Sequence, residues 1–196
     1  MKVLAINGSP RKEGNTAHML NTVLKICNTA GLETELYQAG GRAIHGCKAC
    51  NGCGNHLGKC TTDDWINELY PKMKAADAIV IGSPTYFSDL TPETKAIIDR
   101  CGYISRRDGN AFSRKIGAAV SAVRRAWGIH TLDSIQHMFL ICDMVIPGSS
   151  YWNMSLSRDL GDAENDAEGI KTMERLGENI VWLLNMINAF SPSSRA

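Results

Sequence analysis

Short apolar runs rich in β-branched residues alternate along the chain with longer segments whose apolar positions recur at helical spacing. That alternation predicts a parallel sheet covered by helices on both faces. Strands are expected over Lys2 to Ile6, Glu33 to Gln38, Ala78 to Gly82, Lys115 to Val120 and Met144 to Ile146. Helices are expected over Asn15 to Ala30, Asp64 to Ala75, Thr91 to Tyr103, Thr131 to Ile141 and Asp162 to Asn188. Five strands with helices between them suggest a doubly wound, three-layer α/β fold with strand order 2-1-3-4-5.

Two stretches break the rhythm: Ala39 to Asp63, and Ile146 to Leu160, which is rich in Gly, Ser and aromatic residues. Loops of this length inside a compact domain are usually functional. At 196 residues the chain suits a single domain over 1–190, with an insertion at about 39–63, and Ser191 to Ala196 reads as a disordered tail. The composition is that of an ordinary globular protein, with 44% hydrophobic and 21% charged residues. A net charge of +1 gives no electrostatic case for nucleic acid or an anionic membrane. Val3 to Ile6 is too short for a secretory core and no later run could span a bilayer, so a cytoplasmic protein is expected.

In an open α/β sheet, ligands bind outside the carboxyl ends of the strands, near the point where strand order reverses. The loops after strands one, three and four are built for that. The first, Asn7-Gly8-Ser9-Pro10-Arg11-Lys12-Glu13-Gly14-Asn15-Thr16, runs from a buried strand into a helix and offers hydroxyls, a guanidinium and helix-terminal N–H groups, which suit a phosphate. It is neither a Walker A motif nor G-x-G-x-x-G, and taken alone it reads more readily as a polar turn that caps a helix. The second loop, Gly82-Ser83-Pro84-Thr85-Tyr86-Phe87-Ser88, carries an aromatic pair able to lie against a flat apolar ring or to anchor a core. The third, Ser121-Ala122-Val123-Arg124-Arg125-Ala126-Trp127-Gly128, places two arginines where a ligand would meet an electropositive wall, although such a pair in isolation is more often solvated surface.

Together these loops resemble those of the NAD(P)H-dependent FMN reductase branch of the flavodoxin-like superfamily, over residues 1 to about 185. The matching stretches are Gly8 to Arg11 with Gly14 to Thr16, Gly82 to Phe87, and Lys95 to Arg100. The resemblance implies that Ser9, Arg11, Asn15 and Thr16 hold the FMN phosphate. It further implies that Pro84, Thr85, Tyr86 and Phe87 contact the isoalloxazine, and that Ser121, Val123, Arg124 and Arg125 flank its other edge.

Four of the seven cysteines, Cys47, Cys50, Cys53 and Cys60, fall within fourteen residues, and Cys27, Cys101 and Cys142 lie singly in apolar segments. In a reducing compartment the cluster points to thiolates converging on metal rather than to disulfides. Two successive C-x2-C steps let one turn present three thiolates, and a fourth returns through Gly54 and Gly58. The pattern resembles that of the iron–sulfur flavoproteins, a subgroup of the same family whose compact motif binds a [4Fe–4S] cluster. It differs from the bacterial ferredoxin pattern in its last spacing, and no proline follows Cys60. Zinc, and redox-active or inert thiols, are the rival readings. His45 and His56 bracket the motif and read as exposed or supporting residues, His130 and His137 as helix surface, and Tyr151 and Trp152 as packing.

The expected function is a flavin-dependent oxidoreductase whose FMN exchanges electrons with the cluster, with no catalytic side chain. It would link a one-electron donor such as ferredoxin to a quinone, oxygen or peroxide. A cluster-free NAD(P)H-dependent FMN or quinone reductase is the alternative, and a redox carrier or thiol sensor a third. No dedicated pyridine-nucleotide fingerprint is present. The resemblance also implies a homodimer or homotetramer that brings one subunit's cluster to another's flavin.

Overall fold

The computed structural model describes residues 1–56 and 58–190, so the proposed tail at 191–196 lies outside the described residues. The strands are β1 (Lys2–Asn7), β2 (Glu33–Gln38), β3 (Ala78–Pro84), β4 (Ile116–Val123) and β5 (Met154–Leu156). They form one parallel sheet in the order β2-β1-β3-β4-β5, as the alternation predicts. The helices are α1 (Asn15–Thr29), α2 (Ile66–Ala75), α3 (Pro92–Arg107), α4 (Gly128–Ile141) and α5 (Ala167–Phe190).

Side chains in a strand alternate between faces, so each central strand feeds two cores. Val3 and Ala5 of β1 and Val80 of β3 pack with Leu20, Val23 and Cys27 of α1 and with Leu176 and Ile180 of α5. Leu4, Ile6, Ile79 and Ile81 face the other way, toward Leu69 and Met73 of α2, Ile97 and Ile104 of α3, and Ile135 and Phe139 of α4. Each fully buried Leu or Ile stabilises the fold by roughly 1.5–3 kcal/mol, and both layers have several. α3 begins where the Thr91 hydroxyl accepts the Thr94 N–H and Pro92 sets the first helical residue. Among the described residues no helix is long and apolar enough to cross a membrane.

The fifth strand corrects the sequence reading. Val145 makes only an isolated bridge to Ile116, and the chain then leaves the sheet before rejoining β4 at Met154–Leu156. Met144 to Ile146 is the more apolar run, but a strand at the sheet edge is fixed by backbone pairing, which apolar content does not report. The last helix also starts later than expected, because Asp162–Glu164 is a separate 3-10 turn.

Candidate functional site

The phosphate loop is shaped by two amides. The Asn7 side chain accepts the Ser9 N–H (3.1 Å) and donates to the Arg11 carbonyl (3.3 Å) and to Gln38 Oε1 (2.7 Å). Gln38 in turn donates to the Ser9 and Gly40 carbonyls, both at 2.8 Å. The end of β2 is thereby laced to the loop after β1, and Gly40 lies so close that a Cβ there would stand 2.2 Å from the Ser9 carbonyl carbon. α1 follows Gly14 with no side-chain cap, so its first N–H groups remain available to an anion.

At the carboxyl ends of β1, β3 and β4 these residues open onto a cleft of about 180 Å³ lined by Ser9, Arg11, Asn15, Thr16, Pro84, Thr85, Tyr86, Ala122, Arg124, Ser157 and Arg158. Eight of the twelve residues expected at the flavin therefore share one cavity, whose described lining holds three arginines and no carboxylate. Ser121 is buried beneath it, with its hydroxyl 2.9 Å from that of Thr85, which also meets the Thr131 hydroxyl. Val123 and Arg125 line an adjoining cleft of about 310 Å³ with Thr85, Ser88, Arg124, Ala126 and Trp127. Phe87 lines neither and is fully exposed on the rim.

Two of these loops hold left-handed residues. Phe87 and Ser88 both hold left-handed φ, 49° and 67°, in a turn closed by hydrogen bonds between Tyr86 and Asp89 in both directions. Trp127, at the head of α4, has φ 72°. Asn15 plays a part different from a simple phosphate ligand: its amide donates to the Asp159 carbonyl and its oxygen accepts from Gly161 and Ala163, so it pins the loop that brings Arg158 to the cleft. Ser157 and Arg158 were missed because the true β5, Met-Ser-Leu, lies just before them; recognising that strand would have put them at its carboxyl end.

The cysteine loop is anchored at both ends. On the entering side, Arg42 stacks over Tyr37 and Trp65, and the Trp65 indole donates to the Ala43 carbonyl (2.8 Å). On the leaving side, Asn67 of α2 accepts the Cys60 N–H (2.8 Å) and donates to the Cys60 and Thr62 carbonyls. Between them Ala49 and Asn51 take left-handed φ around Cys50, and Gly52–Gly54 forms a 3-10 turn. Cys47, Cys50, Cys53 and Cys60 all line one small cavity of about 20 Å³, together with Lys48, Asn51, Thr61, Thr62, Arg100 and Tyr103.

Among the described residues no group of three or more His, Cys, Asp or Glu side chains stands close enough to grip a single metal ion. The four thiols line a shared space without meeting at a point. Their environments differ. The Thr61 hydroxyl (3.1 Å) and the Gly52 N–H hold the Cys50 thiol below its usual range. Burial pushes Cys53 up, with the other three sulfurs adding to the shift. Arg100, almost wholly buried, pairs with Asp64 at 2.6 and 2.8 Å; burial works against its charge, but the Asp64 carboxylate and the Cys60 sulfur outweigh it and raise its pKa. His45 and His56 are exposed and line no cavity with the cysteines. His130 and His137 are exposed on α4, and Tyr151 and Trp152 are exposed and stacked edge to face.

The sequence profile of the NADPH-dependent FMN reductase family matches residues 1–159. An iron–sulfur flavoprotein of Methanocaldococcus jannaschii is 34% identical over 194 residues, covering 95% of this chain and 99% of that protein. An iron–sulfur flavoprotein of Methanosarcina thermophila is 30% identical over 195 residues, covering 95% and 97%. A crystal structure of a flavodoxin, WrbA-like protein, from Agrobacterium tumefaciens superposes with a TM-score of 0.65 at 16% identity, covering 94% of this chain and 98% of that one, and shares the fold. Matched along nearly its whole length, the chain belongs to the NADPH-dependent FMN reductase family, in the subgroup of these archaeal iron–sulfur flavoproteins, and is a flavin-dependent oxidoreductase.

Proposed function

We propose that the chain is an electron-transfer enzyme that binds FMN in the arginine-lined cleft and a [4Fe–4S] cluster on Cys47, Cys50, Cys53 and Cys60. On this reading it passes electrons from a one-electron donor such as ferredoxin to a two-electron acceptor such as a quinone, oxygen or peroxide. The observation that carries the reading is that all four cysteines, drawn from both limbs of an anchored loop, line one cavity. The donor set suits the group, since a cubane takes one thiolate at each of four irons and so needs ligands around a space. When bound, the flavin exchanges one or two electrons and the cluster one at a time, which joins the two kinds of partner.

The chain's own residues bind and orient. Arg11 and Arg158, with the hydroxyls of Ser9 and Thr16 and the uncapped start of α1, suit a phosphate monoester in the cleft. Pro84, Thr85 and Tyr86 form a wall for a flat ring, and Arg124 stands between this cleft and its neighbour. About 20 Å³ is close to the room for one water, so the cysteine loop has to widen as a cluster enters. A second copy of the chain would complete electron transfer by bringing its cluster to this flavin. The exposed Phe87 and Trp127 at the cleft rim support such an assembly, because large apolar side chains held in strained turns gain from being covered.

A second reading rests on the adjoining 310 Å³ cleft, whose Arg124, Arg125 and Trp127 suit the phosphates and ring of a pyridine nucleotide. Purification without oxygen, followed by assay of iron, acid-labile sulfide, zinc and flavin per chain, separates the two. About four irons and four sulfides with one FMN is the expected result, and Cys53→Ser should lose iron while keeping FMN. One FMN without iron, with steady NADPH oxidation by the Cys53→Ser chain, would establish the cluster-free reductase instead.

A further inference from the structure

Arginine carries five N–H donors in a fixed fork, and at Arg100 four are accounted for. Nη1 donates to Asp64 Oδ2 (2.6 Å) and to the His45 carbonyl (3.1 Å). Nη2 donates to Asp64 Oδ1 (2.8 Å) and to the Thr62 carbonyl (3.3 Å). Nε is buried and has no partner among the described residues, in a residue only 2% exposed. A buried charged donor left unmade is costly, and native interiors rarely keep one without a use. Arg100 lines the same cavity as the four cysteines, whereas Asp64 does not.

Resting on the cluster reading above, we propose that Arg100 is a positioning and tuning residue for the cluster: its Nε–H donates to a cysteine sulfur and its charge favours the reduced form. The two functions use different atoms. The Nη groups tie together the segments just before Cys47 and just after Cys60, so the fork fixes where the loop enters and leaves α3's surface. The side turned from Asp64 supplies the hydrogen bond. Cluster potentials respond to net charge and to hydrogen bonds at sulfur, and reduction adds one negative charge beside this guanidinium. Asp64 opposes that effect from the Nη side, so removing Arg100 and removing Asp64 should shift the potential in opposite directions.

The test uses the full chain, reconstituted without oxygen and loaded with FMN, in parent form and as Arg100→Gln, Arg100→Lys and Asp64→Asn. Iron, sulfide and FMN per chain are measured first, and the cluster midpoint is then read by dye-mediated titration with electron paramagnetic resonance. Arg100→Gln should lower the midpoint by at least a tenfold change in the reduction equilibrium, about 59 mV for one electron, with Arg100→Lys between it and the parent. Asp64→Asn should raise it. Equal midpoints in every chain that holds the cluster, or shifts of one sign at both positions, would overturn the proposal. Loss of iron from both Arg100 variants with FMN retained would make the residue a loop clamp and overturn the electronic role. A parent chain that binds FMN but no iron refutes the functional reading before any potential is read, so the two failures are distinct.

Discussion

Phe87 and Ser88 occupy the two central positions of a tight turn that requires left-handed backbone, places normally given to Asn and Gly. A left-handed non-glycine residue costs roughly 1–2 kcal/mol, so the pair stores strain beside the cleft. Replacing them by Asn-Gly should raise stability by about 1–2 kcal/mol in denaturant titration. If the exposed Phe87 ring serves the bound flavin or a neighbouring subunit, the same change lowers turnover; an unchanged turnover would make the ring dispensable. Gly40 has the opposite sensitivity. A Cβ there meets the Ser9 carbonyl group and the Gly8 oxygen within 2.5 Å, and backbone, unlike a flexible side chain, yields only by moving the phosphate loop. Gly40→Ala should weaken FMN binding about tenfold or more, read by fluorescence titration, and lower stability by about 1–3 kcal/mol.

At the scale of elements, the central strands and the helices that cover them were legible because burial on both faces writes a continuous apolar run, as in Val3 to Ile6 and Ala78 to Ile81. β5 was not, since three residues with an exposed Leu156 carry no such signature and are held by pairing to β4. That single displacement hid Ser157 and Arg158, while the loops after β1, β3 and β4 were singled out from the sequence. Arg100 was noticed only as part of a matching helix; its role depends on where α3 meets the cysteine loop, a long-range contact that spacing cannot express. The same region offers a pH test. Asp108, at the end of α3, accepts from Tyr70 and Lys74 of α2, both at 2.8 Å, and Lys74 and Tyr70 hold its carboxyl below the usual range against the opposing effect of burial. A lowered folded pKa stabilises above the unfolded value near 3.9, and the contribution is lost as pH falls through the folded value. With Lys74 half exposed and screened, Asp108→Asn should cost about 1–2 kcal/mol at pH 7, and the gap between the two unfolding curves should narrow as pH falls below the unfolded value and close below the folded one.

For the whole molecule, the two candidate sites sit on different supports. The cleft belongs to the carboxyl ends of β1, β3, β4 and β5, whereas the cysteine cavity rests on α3 through Arg100 and Tyr103, whose hydroxyl donates to Asn51. A cluster and a flavin held on separate supports need not serve each other within one chain, and a symmetric assembly can pair one copy's cysteine loop with another's cleft. Mixing supplies the test. One variant, Cys53→Ser, keeps the cleft; the other, Arg11→Ala with Arg158→Ala, keeps the cysteine loop and should bind FMN at least tenfold more weakly, because each charge-assisted contact is worth about 1.5–3 kcal/mol. Neither should pass electrons from a one-electron donor to a two-electron acceptor alone. Unfolding and refolding the two together should restore up to about a quarter of the parent activity in a dimer if transfer runs between subunits, since half the dimers are then mixed and each has one complete pair of sites. If the mixture stays as inactive as its parts while both variants load their remaining group, transfer runs within a chain.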